Sequence, residues 1–239
     1  MKQVLVTGAS SGIGAALVRE YTVNGWQVTA CGRDRSRLDA LAEETGCAVL
    51  EFDVADREAC VAALGGVDTP WDLVVLNAGT CEYIDDARQF DAALVERVMR
   101  VNVLGTANCL QGVLPGLQRG SRIAIVGSMA TYLPFSRASA YGGSKAALAY
   151  MAGSLDADLA ADGIHVSLVS PGFVETPLTD KNTFKMPMII SAEQAAASIR
   201  DGLDRGRAHV CAPWLFCMML RVLGRLPTGW RVALARKMA

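Results

Sequence analysis

The chain has 239 residues, 51% of them hydrophobic and 20% charged. That composition buries one sizeable core and excludes a disordered chain. The formal net charge of -1 gives no whole-molecule attraction for nucleic acid, so no such partner is expected. The charge is uneven all the same: no acidic side chain follows Asp204, whereas Arg205, Arg207, Arg221, Arg225, Arg231, Arg236 and Lys237 do.

Short apolar runs recur along the chain: QVLVTG, WQVTACG, AVLEFDV, WDLVVLNAG, SRIAIVGS, IHVSLVSPG and AHVCAP. Each of the first six precedes a longer stretch with helical spacing, such as Ile13, Leu17 and Tyr21. Alternation of this kind predicts an α/β fold, a Rossmann-like doubly wound parallel sheet of about seven strands. No Pro- or Gly-rich linker divides the sequence, so a single domain over 1–239 is expected. Ligands of such sheets lie at the carboxyl ends of the strands.

Residues 7–14, TGASSGIG, stand where the first strand hands over to the first helix. Gly8, Gly12 and Gly14 permit a tight turn and close approach of backbone to a pyrophosphate, which the free N–H groups of the helix start would face. Their G-x-x-x-G-x-G spacing carries no Lys of the phosphate-loop kind.

Ser128 ends the fifth apolar run, where a hydroxyl can hydrogen-bond a reacting carbonyl. Downstream, AYGGSKAAL sets Tyr141 and Lys145 four residues apart on one helix face. An ammonium beside a phenol lowers its pKa from about 10, so this pair is expected to do acid/base chemistry.

Seven cysteines, Cys31, Cys47, Cys60, Cys81, Cys109, Cys211 and Cys217, form no C-x-x-C pair. They read as buried or indifferent thiols of a reducing compartment; no metal is expected and the location is taken as cytoplasmic. No signal peptide is read before the first strand. The late stretch APWLFCMMLRVLGRLP is interrupted by Arg221 and Arg225 and falls short of the roughly 20 residues that span a bilayer.

Together these residues resemble the short-chain dehydrogenase/reductase family in its single-domain form, in register from Thr7 to about Thr176: TGASSGIG, FDV, NAG at 77–79, VNVLG with Asn102, Ser128, YGGSK and PGFVET. The resemblance implies an NAD(P)-dependent enzyme. Tyr141 would exchange a proton with the substrate oxygen, Lys145 would lower its pKa and bind the nicotinamide ribose, and Ser128 would polarise the carbonyl. Asn102 would hold a water linking Lys145 to solvent. For the cofactor it implies Gly8, Ser10, Ser11, Gly12, Ile13 and Gly14 at the phosphates, Asp53 and Val54 at adenine, Asn77, Ala78 and Gly79 along the ribose, and Pro171, Gly172, Val174 and Thr176 at the nicotinamide.

Relatives that prefer NAD place an acid at the end of the second strand. Here Gly32 and Arg33 stand there, so NADP(H) is expected over NAD(H), with Arg33 pairing the 2′-phosphate. Residues 178–190 fall where the family places its substrate loop. With Tyr132, Leu133 and Phe173, the loop's Phe184, Met186, Met188, Ile189 and Ile190 would line a pocket for an apolar alcohol, ketone or aldehyde. A sensor that binds NADP(H) without turnover is the competing reading.

By analogy a homodimer is expected through long helices near 91–118 and 139–161. Residues 213–239 form a basic amphipathic extension where relatives often place a tetramer contact. Its helix can close over the active site, pair with a second subunit, or lie weakly on an anionic membrane; packing on protein is the preferred of the three.

Overall fold

In the computed structural model, which describes residues 1–65, 70–180, 182 and 186–237, seven strands pair in the order β3-β2-β1-β4-β5-β6-β7, every pair parallel. In chain order they are β1 (Gln3–Thr7), β2 (Gln27–Gly32), β3 (Ala48–Glu51), β4 (Leu73–Leu76), β5 (Arg122–Val126), β6 (His165–Pro171) and β7 (His209–Ala212). The expected α/β, Rossmann-like doubly wound sheet is therefore what the chain forms, as one domain. The helices are α1 (Gly12–Val23), α2 (Arg35–Thr45), α3 (Arg57–Gly65), α4 (Ala92–Met99), α5 (Gly105–Val113), α6 (Ser139–Leu159), α7 (Ala192–Asp204), α8 (Trp214–Gly224) and α9 (Thr228–Lys237).

Strand side chains alternate between two cores, as the pleat requires. Val4 and Val6 face the cluster built with Leu17, Tyr21, Ile199 and Leu203 of α1 and α7; Leu5 faces the opposite cluster with Leu64, Leu110 and Leu148 of α3, α5 and α6. Each fully buried aliphatic side chain contributes roughly 1.5–3 kcal/mol. Both sheet faces are thus covered, which is why strands such as Leu73–Leu76 are apolar without alternation.

Local signals set the helix ends. Asp34 caps α2 by accepting from Arg37 N at 3.1 Å, and Gly46 closes it in the left-handed conformation at φ 73°. Ser191 and Gln194 form a reciprocal capping box on α7.

The expected long helix over 91–118 runs unbroken from Ala92 to Val113 but is not α-helical throughout. Between α4 and α5, residues Arg100–Leu104 form a π-helical turn. Such a turn adds a residue to the helix and re-aims what it carries. Here it accompanies the complete burial of Asn102. The chain reverses its winding between β1 and β4, where Val6 pairs with Val75. The loops beyond these strands, starting at Gly8 and Asn77, open there side by side.

Candidate active site

The β1–α1 loop is built for close approach. Gly8 has φ 66°, and a Cβ added to it would stand 2.7 Å from Ala78 Cα; one added to Gly14 would stand 2.1 Å from the Gly8 carbonyl oxygen. Asn77 stitches the two loops together, its amide donating to Thr7 O at 3.0 Å and Gly8 O at 3.3 Å. Thr7 Oγ1 accepts from Asn77 N and Ala78 N at 3.0 and 3.1 Å.

Beside these loops runs a groove of about 650 Å³. Gly8, Ser10, Ser11, Gly12, Ile13, Arg33, Asp53, Val54, Asn77, Ala78, Gly79 and Thr176 all line it. Gly14 lies beneath the loop, where it lets helix and turn meet. Pro171 and Val174 are buried at the end of β6 and beyond it, and Gly172 lines a neighbouring cavity, so of the expected nicotinamide segment Thr176 alone reaches the groove. The glycine walls and the free N–H groups at the start of α1 fit a dinucleotide pyrophosphate.

At the edge of the groove Arg33 has its side chain 75% exposed and only 3.8 Å from an Asp53 oxygen, a loose pair. Arg37, which the sequence reading missed, also lines the groove. Asp34 is engaged: besides capping α2 it pairs with Arg37 Nε at 3.2 Å.

Asn102 is held at both ends, accepting from Thr80 N at 2.7 Å and donating to Thr80 O at 3.0 Å and Ser144 Oγ at 2.9 Å. Lys145, on α6, is buried and donates Nζ to the Val126 carbonyl at 2.9 Å. A Cβ on Gly79 would stand 3.2 Å from Asn102 Oδ1 and 3.4 Å from Lys145 Nζ, so Asn102, Gly79 and Lys145 form one packed group.

Ser128 and Tyr141 both line the neighbouring cavity, of about 190 Å³, and the serine hydroxyl is near enough to favour the phenolate. The expected lowering of the Tyr141 pKa by Lys145 is not realised in this structure. Burial raises Tyr141 to about 12, against the opposing pull of Ser128. Burial likewise lowers Lys145 to about 8. Desolvation outweighs the pairing here because Nζ sits 5.8 Å from the ring centre and is spent on a backbone carbonyl.

Comparison with known proteins bears on this geometry. The family model for "short chain dehydrogenase" matches residues 2–186. The chain belongs to the short chain dehydrogenase family. This dehydrogenase is 34% identical over 247 residues to an uncharacterised oxidoreductase of Myxococcus xanthus, covering 99% of this chain and 97% of the relative. It is 34% identical over 182 residues to the serine 3-dehydrogenase of Rhizobium radiobacter, covering 74% and 73%. Among solved structures, a short-chain dehydrogenase from Sphingobium yanoikuyae in complex with NADPH superposes with a TM-score of 0.78 at 27% identity, over 89% of this chain and 88% of that one. The dehydrogenase is accordingly an NAD(P)-dependent oxidoreductase acting on a small molecule.

The walls of the dehydrogenase's cavity differ from the expected set. Phe173 lines it, joined by Met129, Phe135, Leu178, Phe216 and Leu220. Tyr132 and Leu133 instead pack behind it with Cys217, the Tyr132 hydroxyl 3.2 Å from His209 Nε2. Of the segment 178–190, Leu178, Thr179 and Asn182 reach the cavity. Met186, Met188, Ile189 and Ile190 do not: Met188 is exposed at φ 55°, and Ile190 bridges to Val174 and packs on the core beneath. Phe184 lies outside the described residues. Phe135 and Arg137 flank a turn, and Phe216 and Leu220 arrive on α8 from far down the chain, so no local pattern announced them.

The reading of all seven cysteines as indifferent thiols is corrected. Cys211 on β7 and Cys217 on α8 form a disulfide, which ties the strand to the helix. Their sulfurs and a His209 ring nitrogen lie within 4.8 Å of one another, but a bridged pair presents no thiolate for a metal. Burial pushes His209 below its usual range, and the nearby Arg221 adds to the shift. Among the described residues no helix is long and apolar enough to cross a membrane.

Proposed function

We propose that this dehydrogenase interconverts an apolar secondary alcohol and its ketone, or an aldehyde, using NADP(H) in preference to NAD(H). The observation that carries the reading is the meeting of Ser128 and Tyr141 on the wall of an apolar cavity beside the glycine-lined groove. A bound nicotinamide cofactor supplies or accepts the hydride. Tyr141 gives its hydroxyl proton to the substrate oxygen, or takes it back in the reverse direction, and Ser128 Oγ hydrogen-bonds the same oxygen. Lys145 and Asn102 form the buried polar path behind them, Lys145 also holding the ribose of the cofactor.

Gly8, Ser10, Ser11, Gly12 and Ile13 receive the phosphates; Asp53, Val54 and Asn77 to Gly79 line the adenosine side. The preference for NADP(H) is supported by Arg33 and Arg37 at the groove edge and by the engagement of Asp34 with its own helix. Two guanidinium groups suit a 2′-phosphate, and no uncommitted carboxylate follows Gly32 to repel it.

For the substrate, eight apolar side chains among the described residues line the cavity, Met129, Ala130, Phe135, Ala138, Phe173, Leu178, Phe216 and Leu220. Among the described lining residues Arg137 is the one from a basic or acidic amino acid, and Asp85 pairs with it, Nε to Oδ1 at 2.8 Å. With that charge already paired and the other described lining residues uncharged and mostly apolar, a neutral substrate fits better. Residues 178–190 serve as the substrate loop and 213–239 as an extension that roofs the cavity through α8.

The dimer is assigned to the long-helix faces, where Leu104 and Tyr150 are exposed. A cytoplasmic location is supported by the five free thiols and opposed by the Cys211–Cys217 bridge.

The test is oxidation of NADPH with neutral ketones and aldehydes of rising chain length, with Tyr141→Phe in parallel. Turnover that disappears in the variant while NADPH binding persists supports the reading. If neither protein turns over any substrate and both bind NADPH, the protein is a sensor.

A further inference from the structure

Helix α8 carries two apolar faces. Phe216, Cys217 and Leu220 are buried against Met129 and Leu133. At about 100° per residue, Trp214, Leu215, Met218, Met219 and Val222 fall on the opposite side, and they are between 46% and 67% exposed. Five adjoining large apolar side chains in water are an interaction surface rather than a scatter of surface residues. On α9, Trp230 is 69% exposed.

Arginines adjoin this stripe. Arg221 and Arg225 stand at its border on the helix, and with Arg231 they rim a groove over Thr131 and Tyr132. Among the described residues no carboxylate lies within ion-pair distance of any of the three. Arg231 Nε is buried without a hydrogen-bond partner.

We propose that α8 and α9 dock the protein on an anionic phospholipid surface, the five α8 side chains entering the interface and Arg221, Arg225 and Arg231 meeting lipid phosphates. Charge decides the occupant. A second copy bringing the same face would set arginine against arginine with no acid to separate them, whereas a layer of phosphates offers each one a partner. Docking does not rest on the proposed reaction, but Phe216 and Leu220 put the inner side of the same helix on the substrate cavity.

The experiment is co-sedimentation of the full chain with vesicles of phosphatidylcholine, alone or mixed with phosphatidylglycerol, with NADPH binding and elution volume recorded on the same samples. Pelleting with the anionic vesicles, released by salt, is expected. Leu215→Glu/Met219→Glu abolishes it, and Arg221→Gln/Arg225→Gln lowers partitioning about thirtyfold; both variants keep NADPH affinity and elution volume. Three results overturn the proposal: no pelleting with either vesicle, equal pelleting with neutral vesicles, or a dimer that the Leu215→Glu/Met219→Glu variant converts to monomer. Ketone reduction in the supernatant is read independently, so failure of the reaction and failure of docking are distinguishable.

Discussion

Lys145 Nζ lies 5.8 Å from the centre of the Tyr141 ring and donates to Val126 O, so the two groups titrate apart in the free protein. Lys145 falls to about 8 from its ordinary 10.5. Between those values the unfolded chain holds a proton that the folded one has released, so this group makes stability rise as pH increases from about 8 to 10.5. Relative to Lys145→Met, the wild type should gain on the order of 3 kcal/mol across that window. Paired thermal or denaturant melts from pH 7 to 10.5 check this; a constant difference would show that the buried amine is not depressed.

Tyr141 moves the other way. Its phenol, raised from 10.0 to about 12, keeps a proton the unfolded chain gives up, and its contribution to stability is lost as pH climbs through that interval. Tyr141→Phe should remove this loss, so the variant's melting temperature falls less than the wild type's as pH rises above about 10, while it shows no turnover.

The proposed NADP(H) preference places Arg33 and Arg37 at the 2′-phosphate. Arg33→Ala and Arg37→Ala should each weaken NADPH binding about tenfold, the usual loss for one charge-assisted contact to phosphate, and leave NADH affinity nearly unchanged. Fluorescence titration with both cofactors measures it. Equal losses for NADH would place the two arginines outside the 2′-phosphate site.

Gly14 cannot accept a side chain. The Cβ of Gly14→Ala would fall 2.1 Å from the Gly8 carbonyl oxygen and 2.7 Å from Asn77 Nδ2, so either the helix or the loop must move. A cost of about 2–3 kcal/mol is expected, with loss of NADPH binding at temperatures where the variant is still folded. Calorimetry and cofactor titration separate the two effects.

The disulfide predicts a thiol count. Denatured without reductant, the protein should show five reactive thiols, those of Cys31, Cys47, Cys60, Cys81 and Cys109; after reduction, all seven cysteines should react. Cys217→Ser unties α8 from β7 and should raise KM for the longer ketones, because Phe216 and Leu220 ride on that helix.

How legible the molecule was depends on the distance over which each feature is decided. The alternating fold was plain because every strand is short, apolar and followed by a helix. The groove residues were equally plain, since glycines and hydroxyls at strand ends act through their own loops. Asn102 could be named, but the π turn that accompanies its burial spans only five residues, too short a stretch for apolar periodicity to register. Arg37, four residues after Arg33 in GRDRSR, was readable as a second cation at the groove. The cavity walls were least legible. Phe135 and Phe216 meet only after β7 has been added to the sheet, and Tyr132, as apolar in sequence as Phe135, turns to His209 instead. Cys211 and Cys217 lie six residues apart, a spacing that says nothing until a strand and a helix fold back on each other.

Leu178 is the one described residue that lines both the groove and the cavity. A change in its bulk therefore cannot be private to either. A smaller side chain that admits a bulkier alcohol also widens the mouth of the dinucleotide site, and a larger one that tightens the cofactor crowds the substrate. Any lineage, natural or selected in the laboratory, that retunes specificity through this position inherits a pleiotropic cost in cofactor affinity, and its compensating substitutions should appear on the far side of the groove.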